Sequence, residues 1–239
     1  MDWLDPYELR ARAVPALIVS LPGIITFLVL ILDTSGSLAQ FLGSGVLLLI
    51  VVYPVSFLVR HLGKEVEPGM WRSWDGPPST RFLRWRDTRF GGKTKRMLHQ
   101  AVGHFCRIEL LPPDDEERDP QEADRLISEA FGQVKATVRR DNAGGVWEKH
   151  NAEYGLQRNL LGSRVLWSAS AAAGVLVCGT LWLTSNNDLL LIGAILNIIV
   201  LTWSLVWGWV FLPRFTKEAA DAYAESVWSS FLVGAKSCE

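Results

Sequence analysis

The chain has 239 residues, of which 49% are hydrophobic and 21% are charged, and its formal net charge is −1. This near-zero net charge says little by itself, because the charges of an acidic stretch and of a basic stretch cancel in the sum. The three cysteines are far apart and odd in number, so no disulfide framework is implied. A wholly soluble fold is also disfavoured, because the chain contains long runs without any charged residue.

Four runs contain no Asp, Glu, Lys or Arg: residues 13–32, 34–59, 165–187 and 189–213. Each run has 20 or more residues, enough for a helix to cross the hydrocarbon core of a membrane. The stretch 60–164 contains 19 of the 24 Lys and Arg, and the two short connectors contain none. Because basic residues stay on the cytoplasmic side, the pattern predicts an all-α membrane protein with four transmembrane helices in two pairs. A helical cytoplasmic insert separates the pairs, and both termini are cytoplasmic.

Residues 1–12 predict a helix that lies in the headgroup layer. Asp5 suits the cap of this helix, Pro6 suits its first position, and Glu8 completes a capping-box spacing. The apolar residues around them, beside two arginines, are typical of an interfacial helix. Residues 13–59 then form the first and second transmembrane helices.

The cytoplasmic insert is predicted to cover residues 60–164. Its first part, residues 60–100, holds ten basic and four acidic residues with aromatic residues between them. A helix is expected to start at Pro78, and the basic surface suits anionic headgroups, a phosphorylated ligand or, least of all, a nucleic acid. Its position beside the second span favours headgroups. The residues expected to contact the membrane surface or a partner are Arg81, Arg84, Trp85, Arg86 and Arg89.

Two further helices are predicted in the insert. Apolar residues recur at helical spacing from Thr94 to an end near Leu111, and again from Ala123 to about Arg140. The acidic run 114–117 between them is predicted to be a solvated loop rather than a metal site, because negative charge is favoured before a helix N-terminus. A last helix then continues directly into the third span.

Residues 165–213 contain the third and fourth spans. No predicted span contains an ionisable Asp, Glu, Lys, Arg or His, which argues against a proton-coupled transporter. Small residues near the start of the third span favour close helix packing. An amide side chain near the middle of the fourth span is predicted to form an interhelical hydrogen bond rather than to line a pore. The residues assigned to intramembrane packing or a pore are Ser168, Ser170, Gly174 and Asn197.

Pro213 is predicted to end the fourth span. Thr216 then starts a cytoplasmic amphipathic helix within residues 214–239, whose apolar face rests on the membrane or packs on the insert. That face contains Ala219, Tyr223, Val227 and Phe231.

The sequence shows no catalytic or metal-binding motif. Residues 91–94 (Gly-Gly-Lys-Thr) resemble the end of a phosphate-binding loop, but Asp87 stands where the leading glycine belongs. These glycines are therefore predicted to cap the next helix. His99 and His104 do not share a helical face. We predict a protein that is not an enzyme and that uses no cofactor.

Three motifs together resemble a family of uncharacterised bacterial inner-membrane proteins with no established activity. They are Asp5-Pro6-Tyr7-Glu8-Leu9-Arg10-Ala11-Arg12, Pro78-Ser79-Thr80-x-Phe82-Leu83-Arg84 and Asn151-x-Glu153-Tyr154-Gly155-Leu156-x-Arg158-Asn159-Leu160-Leu161-Gly162. The resemblance would cover most of the chain. It implies a bacterial inner membrane and the same topology, and it supplies no catalytic residue.

Two functions are compatible with this architecture. In the first, the insert senses a ligand or partner and acts on the membrane, as an effector or channel-like protein of a defence or stress response. In the second, the protein is a membrane-anchored adaptor that recruits a cytosolic partner. The direct continuation of the insert into the third span favours the effector. The expected partners are the bilayer with its anionic headgroups, a cytosolic protein or phosphorylated ligand, and further copies of the chain.

Overall fold

The computed structural model describes the backbone of residues 9–35, 38–141 and 145–237, and the side chains in these ranges except those of 34–51 and 236–237. Within the described ranges the chain is helical and contains no β-strand. The prediction of an all-α protein is therefore confirmed.

The described ranges contain nine α-helices and two π-helical turns. They are α1 (Val14–Ser35), α2 (Leu38–Ser73), α3 (Pro78–Arg81), α4 (Gly92–Cys106), α5 (Pro113–Arg118), α6 (Pro120–Asp141), α7 (Val146–Ser185), α8 (Asp188–Val206) and α9 (Leu212–Ser237), with π turns at Leu9–Ala13 and Trp207–Phe211.

Three helical segments are long and apolar enough to cross a membrane. They are Leu9–Asp33, Val146–Ser185 and Asp188–Ala235, found among the residues that the structure describes. They contain the first and fourth predicted spans and all but the last two residues of the third. A helix of about 20 apolar residues matches the thickness of the hydrocarbon core.

Two predictions fall wholly or partly outside the described residues. The capping box at Asp5 to Glu8 lies before the first described residue. The second predicted span, residues 34–59, falls mostly on side chains that are not described, although the backbone is helical throughout residues 38–59. The number of candidate spans among the described residues is therefore three.

The chain divides into two compact units. The first contains the residues up to Glu67 together with Ala152–Thr216, and the second contains Pro68–Asn151 together with the residues from Lys217 onward. We call the first the apolar unit and the second the polar unit. Each unit is discontinuous in sequence, and the boundaries between them fall within α2, α7 and α9.

In the apolar unit, helices α1, α7 and α8 pack closely through small residues. Val29 of α1, Cys178 of α7, and Leu190 and Ala194 of α8 form one buried cluster. A Cβ atom at Gly193 would lie 3.0 Å from both Val29 and Cys178. A glycine at this position therefore permits the close approach of the three helices.

The polar unit contains aromatic contacts between α9 and the helices α4 and α6. The ring of Phe231 lies 6.2 Å from that of Phe105, and the ring of Phe131 lies 5.4 Å from that of Trp228. Trp228 is fully buried and donates a hydrogen bond of 2.9 Å to the backbone oxygen of Ser79. Of the two predicted environments for the apolar face of the C-terminal helix, the structure therefore shows packing on the insert. The buried residues of that face are Ala219, Tyr223, Val227 and Phe231.

Two elements of the insert differ from their predictions. The helix that starts at Pro78 is a single turn, and residues 82–90 after it are not helical. The acidic run 114–117, predicted as a loop, belongs to α5, because Pro113 suits a helix start and carboxylates stabilise a first turn. Gly91 precedes α4 as its N-cap residue, as predicted.

Two helix ends also differ. Helix α4 ends at Cys106 rather than near Leu111, because Arg107 adopts a left-handed backbone with φ of 57°. Pro213 does not end a helix, since α9 begins at the residue before it. The π turn Trp207–Phe211 lies immediately before α9, and such a wider turn relieves the clash that a proline causes in a regular helix.

Candidate functional site

A buried lysine of α4 holds the non-helical segment between α3 and α4. Lys95 is 2% exposed, and its Nζ donates hydrogen bonds to the backbone oxygens of Arg84 at 2.5 Å, Trp85 at 3.1 Å and Asp87. Burial lowers the pKa of Lys95, and neighbouring carboxylates offset this only in part. The ammonium group supplies the donors that this irregular backbone would otherwise lack.

Lys95 is a buried residue beside the candidate site that the sequence analysis missed, although the sequence contains a signal for it. It precedes Leu98 by three residues and Val102 by seven, so it lies on the apolar stripe of α4. A cation on an apolar stripe indicates a buried and hydrogen-bonded side chain.

Arg84 is the centre of an ion-pair network in the polar unit. Its Nε and Nη2 each donate to one carboxylate oxygen of Asp124 at 2.6 Å. Its Nη1 donates to the backbone oxygen of Asp75 at 2.6 Å and to its carboxylate at 3.0 Å. Burial alone would lower the pKa of Arg84, but the hydrogen bond and charge of Asp124, with the charges of Asp75 and Glu116, raise it. The guanidinium group is therefore engaged on all its nitrogens within the protein.

Glu116 of α5 is a second buried charge in this network. Its side chain is 7% exposed, and its Oε1 accepts a hydrogen bond of 2.8 Å from the backbone N–H of Trp85. The indole Nε1 of Trp85 donates to the backbone oxygen of Leu111 at 3.0 Å. Burial raises the pKa of Glu116, and the Trp85 N–H, Lys95 and Arg84 oppose the increase only in part.

A cavity of about 360 Å³ lies beside these groups, and all of its lining residues belong to the polar unit. Its volume falls in the range of small-ligand sites, about 300–1,000 Å³. The walls combine an indole ring and two prolines with five charged side chains, and we take this cavity as the candidate functional site. The lining residues are Trp85, Pro113, Pro120, Arg84, Arg86, Glu116, Glu117 and Asp124.

The five residues predicted to contact headgroups or a partner occupy different environments. Arg81 pairs with Asp221 at 3.3 Å and Arg89 pairs with Glu225 at 2.7 Å, so both of these arginines bind α9. Arg86 has the most exposed side chain of the four arginines, at 63%. Arg84 and Trp85 line the cavity together with Arg86. Contact with headgroups stays a prediction for all five.

Asn197 makes contacts with two other helices of the apolar unit. It is fully buried, and its Nδ2 donates to Thr26 Oγ1 at 3.2 Å and to the backbone oxygen of Gly193 at 2.9 Å. A Cβ atom at Gly174 would lie 2.5 Å from Asn197 Cγ and 2.7 Å from Thr26 Oγ1. Asn197 therefore joins α8 to α1 and α7, at a point where α7 needs a glycine.

The two predicted serines of α7 also face neighbouring helices. Ser168 Oγ lies 3.0 Å from Ser204 Oγ of α8, and Ser170 Oγ lies 4.0 Å from where a Cβ atom at Gly23 of α1 would stand. These are helix-packing contacts, and the lining of a pore by these residues stays a prediction.

The third sequence motif joins α7 to α2 and to the π turn before α1. Glu67 Oε1 accepts hydrogen bonds from the Tyr154 hydroxyl at 2.9 Å and from Arg158 Nη1 at 2.8 Å. Asn159 Nδ2 donates to the backbone oxygen of Ala11 at 2.6 Å. The polar residues of this motif therefore bind helices to one another within the apolar unit.

Two glycines allow α2 and α7 to cross with their backbones in contact. A Cβ atom at Gly162 would lie 2.5 Å from the carbonyl carbon of Leu62 and 2.6 Å from the backbone nitrogen of Gly63. A Cβ atom at Gly63 would lie 2.8 Å from the Cα of Asn159. No larger side chain fits either position without moving a helix.

Comparisons with protein-family models, curated proteins and solved structures find no match for this chain. The resemblance to bacterial inner-membrane proteins stays a prediction. Among the residues that the structure describes, no group of three or more His, Cys, Asp or Glu side chains is placed to hold a metal ion. The cavity is therefore interpreted from the chemistry of its own side chains.

Glu116→Gln is expected to raise the thermal stability of the protein near neutral pH. Because its folded pKa is raised, the carboxyl group contributes stability below its unfolded pKa and loses that contribution as the pH rises through the folded pKa. Glutamine keeps an acceptor for the Trp85 N–H but carries no charge. In an uncharged detergent, the melting temperature of the variant should exceed that of the wild type at about pH 7. The two melting temperatures should become equal at about pH 4, near the unfolded pKa of the carboxyl group. A variant less stable than the wild type at about pH 7 would contradict this expectation.

Proposed function

We propose that this chain is a multi-pass protein of the bacterial inner membrane whose polar unit binds a ligand or partner and thereby changes the packing of the membrane-spanning helices. The continuity of α7 carries this proposal, because the helix runs without interruption from Val146 to Ser185. Trp147 belongs to the polar unit and Ala171 to the apolar unit, and both are buried. We propose that a shift at one of these two positions is transmitted along the helix to the other.

Charge and hydropathy support the proposed location. Three helical segments of the described chain are apolar enough to cross a membrane, and 19 of the 24 basic residues lie in the stretch 60–164. Basic segments remain cytoplasmic, so we propose that both termini and the polar unit lie in the cytoplasm. We also propose that several copies of the chain associate. The membrane-spanning helices of one chain are too few to surround a conducting path.

Overproduction in a bacterium with a potential-sensitive dye tests the effector function. We expect the wild-type protein to depolarise the membrane, and Glu153→Pro to lose this effect. Proline at this exposed position of α7 removes a backbone hydrogen bond and kinks the helix between the two units. Glu153→Ala is the matched control, because it removes the same side chain and keeps the helix intact.

The same experiment separates the effector from the adaptor. Size-exclusion chromatography in detergent should show both variants folded and of wild-type size. Depolarisation by the wild type and by Glu153→Ala, but not by Glu153→Pro, supports the effector. If the wild type leaves the membrane potential unchanged and purified protein gives no conductance in planar bilayers, the effector function is wrong and the adaptor is the remaining proposal.

A further inference from the structure

We propose that the cavity of the polar unit binds an organic cation, an ammonium or guanidinium group carried on an apolar stem. This inference rests on the proposed function and names the class of ligand that the polar unit would recognise. It follows from which charges around the cavity are already paired, from the surfaces that line it, and from the burial of one carboxylate.

The positive charges of the cavity are largely neutralised within the protein. Arg84 gives two hydrogen bonds to Asp124 and two to Asp75, so its guanidinium group offers little to a ligand. Arg86 donates to the same carboxylate of Asp75 at 2.8 Å. An anionic ligand would therefore have to displace existing carboxylates, which is unfavourable.

Two negative charges of the cavity remain without a counter-ion in hydrogen-bond contact. Glu116 uses Oε1 for the Trp85 N–H, and its Oε2 has no hydrogen-bond partner in the part of the chain that the structure describes. Glu117, the next residue of α5, is exposed and forms no ion pair with any described residue. A cation entering the cavity would meet both carboxylates and could make charge-assisted hydrogen bonds with them.

The remaining walls suit the apolar stem of such a cation. Trp85, Pro113 and Pro120 are among the residues that line the cavity. Tryptophan is the aromatic side chain that attracts cations most strongly through its ring face, and proline rings bury methylene groups without competing polar atoms. A cavity of about 360 Å³ holds an alkylammonium or alkylguanidinium group, and not a folded domain.

The burial of Glu116 points in the same direction. Its environment raises the pKa of the carboxyl group, so the charged form is held at a cost in folding stability. Lys95, Arg84 and Asp124 are the charged groups that act on it from the packed elements α4, α6 and the segment between α3 and α4. A bound cation would stabilise the carboxylate, and destabilising charges of this kind are typical of binding sites.

The cation could come from a free polyamine or from a lysine or arginine side chain of a partner protein. Isothermal titration calorimetry on the full purified chain, in an uncharged detergent, distinguishes these sources with three probes. They are spermidine, a short peptide of alanines with a single lysine and blocked ends, and inorganic phosphate. We expect binding of spermidine or of the lysine peptide, with preference for one identifying the source, and no binding of phosphate.

Matched variants locate the binding in this cavity. Glu116→Gln and Glu117→Gln should each weaken cation binding about tenfold or more, because each removes one charged hydrogen-bond acceptor. Asp114→Asn is the control, since Asp114 lies on the same helix but does not line the cavity. The affinity of this variant for the cation should match that of the wild type. Equal affinities in all four proteins, no cation binding at all, or phosphate binding that excludes spermidine would overturn the proposal.

Failure of the ligand class and failure of the effector function give different results. If depolarisation occurs while no cation binds, the ligand class is wrong and the effector function stands. If the cation binds in the cavity while the wild type never depolarises a membrane, the ligand class stands and the effector function is wrong.

Discussion

Gly162→Ala is expected to destabilise the protein by about 3 kcal/mol. The added Cβ atom would stand 2.5 Å from the carbonyl carbon of Leu62 and 2.6 Å from the nitrogen of Gly63. Both contacts are with backbone, so no side-chain rotation relieves them, and α2 must move away from α7. That movement would also stretch the hydrogen bonds from Tyr154 and Arg158 to Glu67.

Gly179→Ala is the matched control for this variant. Gly179 lies on the same helix, and a Cβ atom there meets no other atom within 4 Å. Alanine favours the helix by about 1 kcal/mol over glycine, so this control should be as stable as the wild type or slightly more. The fraction of folded protein after heating, measured by size-exclusion chromatography in detergent, compares the two. Equal losses of folded protein in both variants would show that the crossing is looser than the structure indicates.

Arg84→Lys is expected to destabilise the protein by about 3 kcal/mol although it conserves the charge. A single ammonium group cannot reproduce two parallel hydrogen bonds to Asp124 and two more to Asp75, so buried acceptors lose their donors. Arg86→Lys is the control, because Arg86 is exposed and a surface ion pair contributes little. Thermal unfolding of the purified variants should separate them clearly. If both substitutions lower the melting temperature equally, the network does not depend on the forked geometry of Arg84.

The helical class of this protein could be predicted because long apolar runs are local features of the sequence. A charge-free run between Ala13 and Leu32 is sufficient to predict a helix of membrane length, whatever its neighbours are. The stripe of Ala123, Ile127, Ala130 and Val134 likewise predicts α6, whose buried face contains these residues. Such patterns depend only on residues within a few helical turns.

The candidate site could be predicted only in part. Arg84, Trp85 and Arg86, which the sequence predicts to contact headgroups or a partner, line the cavity, but the contacts that build the site join residues that are far apart in the sequence. Arg84 and Asp124 are separated by 40 residues, and Arg81 and Asp221 by 140. A run of arginines has the same composition whether it is solvated or paired, so the sequence favoured an open basic surface. The structure pairs Arg84 with an acid of α6, and it pairs Arg81 and Arg89 with acids of α9. Nothing local to these three arginines specifies those partners.

The packing of α9 in the polar unit has a consequence for biosynthesis. The core of that unit needs Trp228 and Phe231, which are translated after the apolar stretch of residues 165–211. Until then, Phe105 and Phe131 lack their aromatic contacts with α9. A chain synthesised only as far as residue 151 therefore lacks part of the core of this unit, and the unit completes its folding after residues 165–211 have been made. During that interval the exposed aromatic surface favours aggregation of the nascent chain.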